Sequence, residues 1–241
     1  MDAKGVLRAL KRLAKSGNVE GMKRFGIVSE ETLGVSTPEL RSLANRIGKS
    51  HKLALELWKT GIYEARQIAG MIDEPEKVTE AQMERWVKKF DSWAICDGIC
   101  MNLFVFTPFA WKKAVEWSKR DEEYIKRAGF SLMATLAVND KESSDERFAE
   151  FFEQIKKGSA DDRLYVRKAV NWALRQIGKR NSDLNKLAIV CAKELSKYHP
   201  KSARWIARDA LKELRGEKIQ ERLKAKNKKD ERKTRHKKMA S

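Results

Sequence analysis

Several features that define common protein classes are scarce or absent in this 241-residue sequence. It has only three cysteines: Cys96, Cys100 and Cys191. They are too few for a disulfide framework, and an odd number cannot all be paired, which indicates a reducing compartment. No run of about 18 uncharged residues could span a bilayer, and the charged N-terminus lacks the apolar core of a secretory signal. We therefore expect a cytoplasmic protein with no membrane partner.

Motifs of cofactor-dependent and metal-dependent catalysis are also missing. The histidines His51, His199 and His236 form no triad, and the sequence has no P-loop, GxGxxG, HExxH or GxSxG motif. No cluster of Asp, Glu, His and Cys has the spacing of metal ligands. Any catalysis is therefore predicted to depend on carboxylate and aromatic side chains, without a metal ion or a cofactor.

Positive charge is what the sequence has in excess. Its 52 Lys and Arg residues against 34 Asp and Glu residues give a formal charge of +18, which indicates a polyanionic partner: nucleic acid first, an anionic membrane second. Residues 224–241 hold nine basic and two acidic side chains with little apolar content, which predicts a disordered basic tail. The remaining +11 belongs to the predicted folded part, residues 1–223.

A period of 41 residues indicates the fold. Ala128, Ala169 and Ala210 occupy equivalent places in three similar helical segments, and Gly and Pro together number only 17. Helix pairs that repeat at about 40 to 47 residues are typical of HEAT-like arrays. We therefore predict an all-α fold, a right-handed superhelical solenoid of HEAT-like helix pairs with a concave basic face, formed by a single domain over residues 1–223.

Two predicted helices carry basic residues away from their apolar stripes. On a helical wheel of residues 163–179, Lys168, Arg175 and Lys179 lie opposite the aliphatic stripe, and Trp172 lies beside them. Trp172 either packs on the neighbouring repeat under lysine stems or offers an aromatic platform to a base or sugar. In residues 121–138, Arg127 is followed by small residues at i+4 and i+7, so it is either a phosphate ligand or an ordinary solvated side chain.

The predicted helix over residues 91–106 is apolar almost all round, with Asp91 or Ser92 as its cap. Ile95, Ile99, Leu103 and Phe106 mark one side, whereas Trp93 and Asp97 share the other at i and i+4. Since an unpaired buried carboxylate is costly, Asp97 needs either a structural partner or a catalytic role. The neighbouring Cys96 and Cys100 are predicted to be core thiols.

These segments together resemble the AlkD-type DNA alkylation repair family, the HEAT-like-repeat DNA glycosylases. The resemblance extends from about Gly21 to Leu223 and depends on four sequence words in order: LGVSTPELR at 33–41, SWAICD at 92–97, KRA at 126–128 and KAVNWALR at 168–175. It implies a DNA glycosylase of base excision repair. Such an enzyme removes cationic N3- or N7-alkylated purines, such as 3-methyladenine and 7-methylguanine, from duplex DNA without drawing the base into a deep pocket.

The resemblance also assigns roles to residues. It implies Asp97, Trp93 and Trp172 as the catalytic residues, with a DNA-binding surface that includes Phe25 and Arg127; Lys168, Arg175 and Lys179 would hold phosphates. This chain departs from the family pattern in two places: Ser92 and Ala94 flank Trp93, and Phe25 replaces a tyrosine.

Two other functions remain open from the sequence. The chain could be a non-catalytic HEAT-repeat protein that binds damaged, bent or branched DNA, with Asp97 structural, or a helical scaffold for an acidic peptide. The glycosylase hypothesis predicts a monomer whose partner is double-stranded DNA containing alkylated bases, in the cytoplasm at the nucleoid.

Overall fold

The computed structural model describes residues 1–27, 29 and 31–239, with the side chains of the last helix described as far as residue 228. All the regular secondary structure of this part of the chain is helical, without a β-strand, as the sequence predicts. Contacts divide it into two compact units, Met1–Lys113 and Ala114–Ser241. A single domain over residues 1–223 stays a prediction.

The first unit is built from short helices around α5. Helix α5 packs against α3, α4 and α7, and Gly70 on α5 lies so close to Ile99 on α7 that a Cβ atom there would come within 2.5 Å of it. The rings of Trp58 and Trp86 stack at 4.1 Å nearby. The helices of this unit are α1 (Ala3–Leu13), α2 (Ser16–Arg24), α3 (Thr37–Ile47), α4 (His51–Trp58), α5 (Tyr63–Ile72), α6 (Glu80–Val87) and α7 (Trp93–Asn102), with 3₁₀ turns at Pro75–Lys77 and Phe104–Phe106.

The second unit shows the predicted 41-residue period. Its helices are α9 (Glu123–Asn139), α10 (Asp145–Ala149), α11 (Phe151–Gly158), α12 (Leu164–Gly178), α13 (Ser182–Leu195), α14 (Lys201–Leu214) and α15 (Glu217–Met239); α8 (Ala110–Ser118) crosses the boundary between the units. Helix α12 packs against both α9 and α14, and α13 packs against α14. Ala128, Ala169 and Ala210 are completely buried, because small side chains let the repeated helices approach closely.

The apolar helix predicted over residues 91–106 is interrupted. Ser92 caps α7, with its Oγ accepting a hydrogen bond from the Ile95 amide at 3.4 Å. Leu103 then leaves the α-helical region, at φ −135° and ψ −64°, and the chain continues in a 3₁₀ turn. This turn rotates Phe106 outward to 54% exposure, so the prediction that it lies on one side of the helix with Ile99 is wrong. All three cysteines are buried thiols outside any disulfide, as predicted for Cys96 and Cys100.

Helix α15 continues through most of residues 224–241, the segment for which the sequence predicts a disordered tail. Lys, Arg, Glu and Ala are good helix formers, and the segment contains neither Gly nor Pro. Within the described residues, no helix is long and apolar enough to cross a membrane.

The start of α3 contains a capping box that predicts a pH effect. Ser36 Oγ donates to Glu39 Oε2 at 2.6 Å, and Lys15 Nζ donates to Glu39 Oε1 at 2.7 Å. The bonds from Lys15 and Ser36 lower the pKa of Glu39 from 4.5 to about 2. A carboxyl group whose pKa is lowered by folding stabilises the fold at pH values above its pKa in the unfolded chain. This contribution is lost as the pH falls through its pKa in the folded protein. We expect Glu39→Gln to have a lower Tm than wild type at neutral pH, with a difference that shrinks between pH 4.5 and about 2. A difference in thermal unfolding that stays constant over this range would contradict the assignment.

Candidate functional site

The first unit contains a cavity of about 640 Å³ with a mainly apolar lining. Its walls come from α2, the loop before α3, α5 and α7. The predicted site residues Phe25, Trp93 and Asp97 all contribute to this lining, and so do Tyr63 and Gln67. A volume between about 300 and 1,000 Å³, with a few polar groups in an apolar wall, is typical of small-ligand sites.

Trp93 and Asp97 lie one turn apart on α7, on the same wall of the cavity. Both are half-buried, and the indole Nε1 of Trp93 donates to the Phe25 carbonyl oxygen at 2.8 Å. This bond connects α7 to the end of α2 across 68 residues of sequence. The Phe25 side chain is 75% exposed and therefore available to a ligand.

A buried carboxylate holds the loop before α3, which contributes Gly34 and Val35 to the cavity lining. Glu64 on α5 is completely buried and accepts hydrogen bonds from the amides of Leu33 at 2.9 Å, Gly34 at 2.7 Å and Val35 at 3.2 Å. Three charge-assisted bonds from backbone amides hold the loop in one conformation. Gly34 has φ +77°, and a Cβ atom there would lie 2.2 Å from the Lys15 carbonyl oxygen. The conformation of the segment LGVSTPELR therefore depends on a residue about 30 positions away in the sequence.

Tyr63 and Gln67 are lining residues that the sequence did not indicate. Gln67 Nε2 donates to the Tyr63 hydroxyl at 3.2 Å and to the Ala94 carbonyl oxygen at 2.9 Å, which fixes both side chains beside α7. Burial raises the pKa of Tyr63, so the phenol stays neutral at physiological pH. The available signal was their spacing of i and i+4, which places both side chains on one face of α5.

The other predicted site residues belong to the second unit. Lys168 on α12 is exposed and Trp172 is half-buried. Arg175 and Lys179, however, both bond to the carboxylate of Glu213 on α14. The distance from Lys179 Nζ to Glu213 Oε1 is 2.5 Å. Burial would raise the pKa of Glu213, but the bonds to Lys179 and the charge of Arg175 outweigh it and lower that pKa. The positive charge that the sequence predicts on this face is therefore partly neutralised within the protein.

Arg127 on α9 is only 5% exposed, and its Nη1 donates to the Tyr165 carbonyl oxygen at 2.5 Å. Ser131 and Ala134, the small neighbours expected to let a phosphate approach, are completely buried. The guanidinium thus connects α9 to the start of α12, and the phosphate contact expected of it stays a prediction. Within the described residues, no group of three or more His, Cys, Asp and Glu side chains could hold a metal ion.

Comparison with known proteins places this architecture in a class. A solved structure matches with a TM-score of 0.75 and 24% sequence identity, over 87% of this chain and 94% of that one. It is described as a member of a new family of proteins related to the HEAT-like repeat DNA glycosylases, with affinity for branched DNA structures. The fold is therefore that of a HEAT-like repeat protein.

The sequence then assigns the family. The model of the DNA alkylation repair enzyme family matches residues 6–214, and the chain belongs to that family. The resemblance indicated by the sequence words is thus confirmed. No curated protein matches the chain in sequence.

Proposed function

We propose that this protein is a DNA glycosylase that excises cationic N3- and N7-alkylated purines, such as 3-methyladenine and 7-methylguanine, from duplex DNA in base excision repair. The observation that carries the proposal is the pairing of Trp93 and Asp97 on one wall of a cavity, with the indole fixed by the Phe25 carbonyl oxygen. Membership of a DNA alkylation repair family and the net charge of +18 support it.

The chemistry needs little beyond these groups. Alkylation makes the purine cationic, so it leaves as a neutral base when the C1′–N bond breaks and its electron pair returns to the ring nitrogen. The sugar becomes oxocarbenium-like, and the Asp97 carboxylate would stabilise it electrostatically. A water oxygen then bonds to C1′ and releases its proton to Asp97. The aromatic face of Trp93 adds cation–π attraction of about 0.5–2 kcal/mol.

The second unit would hold the DNA. We propose that Lys168, Arg175 and Lys179 contact phosphates and that Trp172 contacts the sugar or base as a further catalytic group. Because Arg175 and Lys179 are paired with Glu213, they would exchange this carboxylate for phosphate oxygens when DNA binds. Arg127 would support this surface through its bond to the Tyr165 carbonyl oxygen. We expect a monomer that acts at the nucleoid.

Base release tests the proposal directly. Duplex DNA treated with a methylating agent is incubated with the protein, and free 3-methyladenine and 7-methylguanine are quantified by chromatography. We expect release well above that from DNA alone, without added metal and in the presence of EDTA. Tight DNA binding with no base release at any protein concentration would contradict the glycosylase proposal.

A second candidate function is non-catalytic binding to damaged, bent or branched DNA. It is favoured by the description of the similar solved structure as a protein with affinity for branched DNA. Affinities for a four-way junction and for a linear duplex of equal length separate the two functions. A strong preference for the junction, combined with no base release, would support this alternative.

A further inference from the structure

A second cavity, of about 560 Å³, lies in the second unit beside the C-terminal ends of α9 and α12. Five of its lining residues are basic and one is acidic. These charged residues are Lys141, Lys179, Arg180, Arg222, Lys226 and Asp145. None of them belongs to the cavity that contains Trp93 and Asp97.

Part of this charge is fixed in place. Arg180 donates to the carbonyl oxygens of Asp140 and Ser143, and its guanidinium lies 4.1 Å from the centre of the Phe148 ring. Its side chain is 8% exposed, so it forms a rigid cationic wall. Because these partners are carbonyl groups and an aromatic ring, they orient the guanidinium without cancelling its charge.

The carboxylates near Arg180 accept hydrogen bonds from other residues. Asp145 accepts two hydrogen bonds from Asn181 Nδ2, both at 2.8 Å, and lies 4.0 Å from Arg180. Asp140 accepts from the amide and the hydroxyl of Ser143, at 2.9 and 2.8 Å. They offset the positive charge of the cavity only in part.

Three further cations line the cavity. Within the side chains that the structure describes, Lys141, Arg222 and Lys226 have no carboxylate oxygen within 4.0 Å. Lys141 donates to the Val138 carbonyl oxygen, and Lys226 donates to that of Arg180 at 2.6 Å. An ammonium group has three N–H donors, so each lysine retains donors for a ligand.

The cations repel one another in this arrangement. Burial lowers the pKa of Lys141, and the charges of Arg180, Lys226 and Arg222 lower it further. A bound anion would relieve this repulsion and raise the pKa again. Like charges held together around a concave space are therefore most stable with an anion between them.

We propose that the cavity lined by Lys141, Arg180, Arg222 and Lys226 binds a phosphate group, carried by a DNA strand or free in solution. A phosphate offers several acceptor oxygens to the guanidinium and ammonium donors that converge there. The DNA source depends on the proposed function, because this site would then bind a backbone phosphate of the DNA on which the glycosylase acts. The free-phosphate source does not depend on it.

The test uses two charge-matched triple variants of the full chain. In the first, Lys141→Gln, Arg222→Gln and Lys226→Gln remove the exposed cations of the cavity and leave Arg180 in place. In the control, Lys157→Gln, Lys186→Gln and Lys193→Gln remove three exposed charges from α11 and α13. Linear duplex DNA is titrated at several salt concentrations, and inorganic phosphate is titrated separately by calorimetry. Circular dichroism and thermal unfolding establish that both variants are folded.

If DNA supplies the phosphate, the first variant should bind duplex about tenfold more weakly than the control at low salt. Its dependence of log K on log salt should be shallower by about one unit for each lost contact. If free phosphate is the ligand, the duplex affinities will be equal but the heat of phosphate binding will be lost in the first variant alone. Lys141→Arg with Lys226→Arg should retain binding in either case. Equal behaviour of both triple variants toward DNA and phosphate would overturn the proposal. Should the wild type bind no DNA, the phosphate titration still decides it.

Discussion

Asp97→Asn is expected to lower the rate of base release about 100- to 1,000-fold while DNA affinity stays close to that of wild type. The amide has the shape of the carboxylate but not its charge, so it cannot stabilise an oxocarbenium-like sugar or accept a proton from water. Single-turnover release of 7-methylguanine from methylated duplex measures the chemical step, and fluorescence anisotropy with the same duplex measures binding.

The matched control for this variant is Glu56→Gln. Glu56 is exposed on α4 and does not line the cavity, yet its substitution changes the net charge by the same amount. It therefore corrects for the general gain in DNA affinity that follows the loss of any negative charge. Base release by Asp97→Asn at the rate of Glu56→Gln would show that the Asp97 carboxylate is structural.

Gly34→Ala should destabilise the first unit by about 2–5 kcal/mol, the sum of a strained backbone and an overpacked contact. The residue has φ +77°, and its new Cβ atom would lie 2.2 Å from the Lys15 carbonyl oxygen, which is backbone and cannot rotate away. The amide of Gly34 also donates to Glu64, so displacement of the loop would weaken that bond. Urea unfolding followed by circular dichroism gives the free energy of unfolding.

Gly48→Ala separates the two causes. Gly48 has nearly the same φ, +78°, but apart from its chain neighbours no atom of the described residues lies within 4 Å of the position of its Cβ. We expect it to cost less than Gly34→Ala, about 1–3 kcal/mol, which is the penalty of the positive-φ backbone alone. If the two variants were equally stable, the contact between the new Cβ atom and the Lys15 carbonyl oxygen would add nothing to the cost of Gly34→Ala.

Local patterns were enough to predict several elements of this protein. The apolar stripe of α12 is buried as the helical wheel predicts, because 3.6-residue periodicity sets which side chains share a face. Ser92 caps α7, and Trp93 and Asp97 share the wall of one cavity, since residues at i and i+4 always lie on one side of a helix. The same reasoning failed at Phe106, where the helix ends one turn early.

Charge on a helical face was a weaker guide. Lys168, Arg175 and Lys179 share one face of α12, but a wheel cannot show that Glu213 lies across from two of them. Arg127 looked like a surface residue for the same reason, yet it bonds to a carbonyl group 38 positions along the chain. Contacts with residues this distant in sequence leave no periodic signal in the sequence of the helix itself.

The sequence by itself determined the all-α class, the 41-residue repeat, the excess of positive charge and the pairing of Trp93 with Asp97. Each of these depends on composition or on spacing within a turn or a repeat. Only the tertiary structure decided that Glu64 holds the loop at Gly34, that Glu213 neutralises part of the basic face, and that Lys141 and Lys226 meet around one cavity. The physical reason is that charges and hydrogen bonds act through space, and packing brought together groups that are 30 or more residues apart.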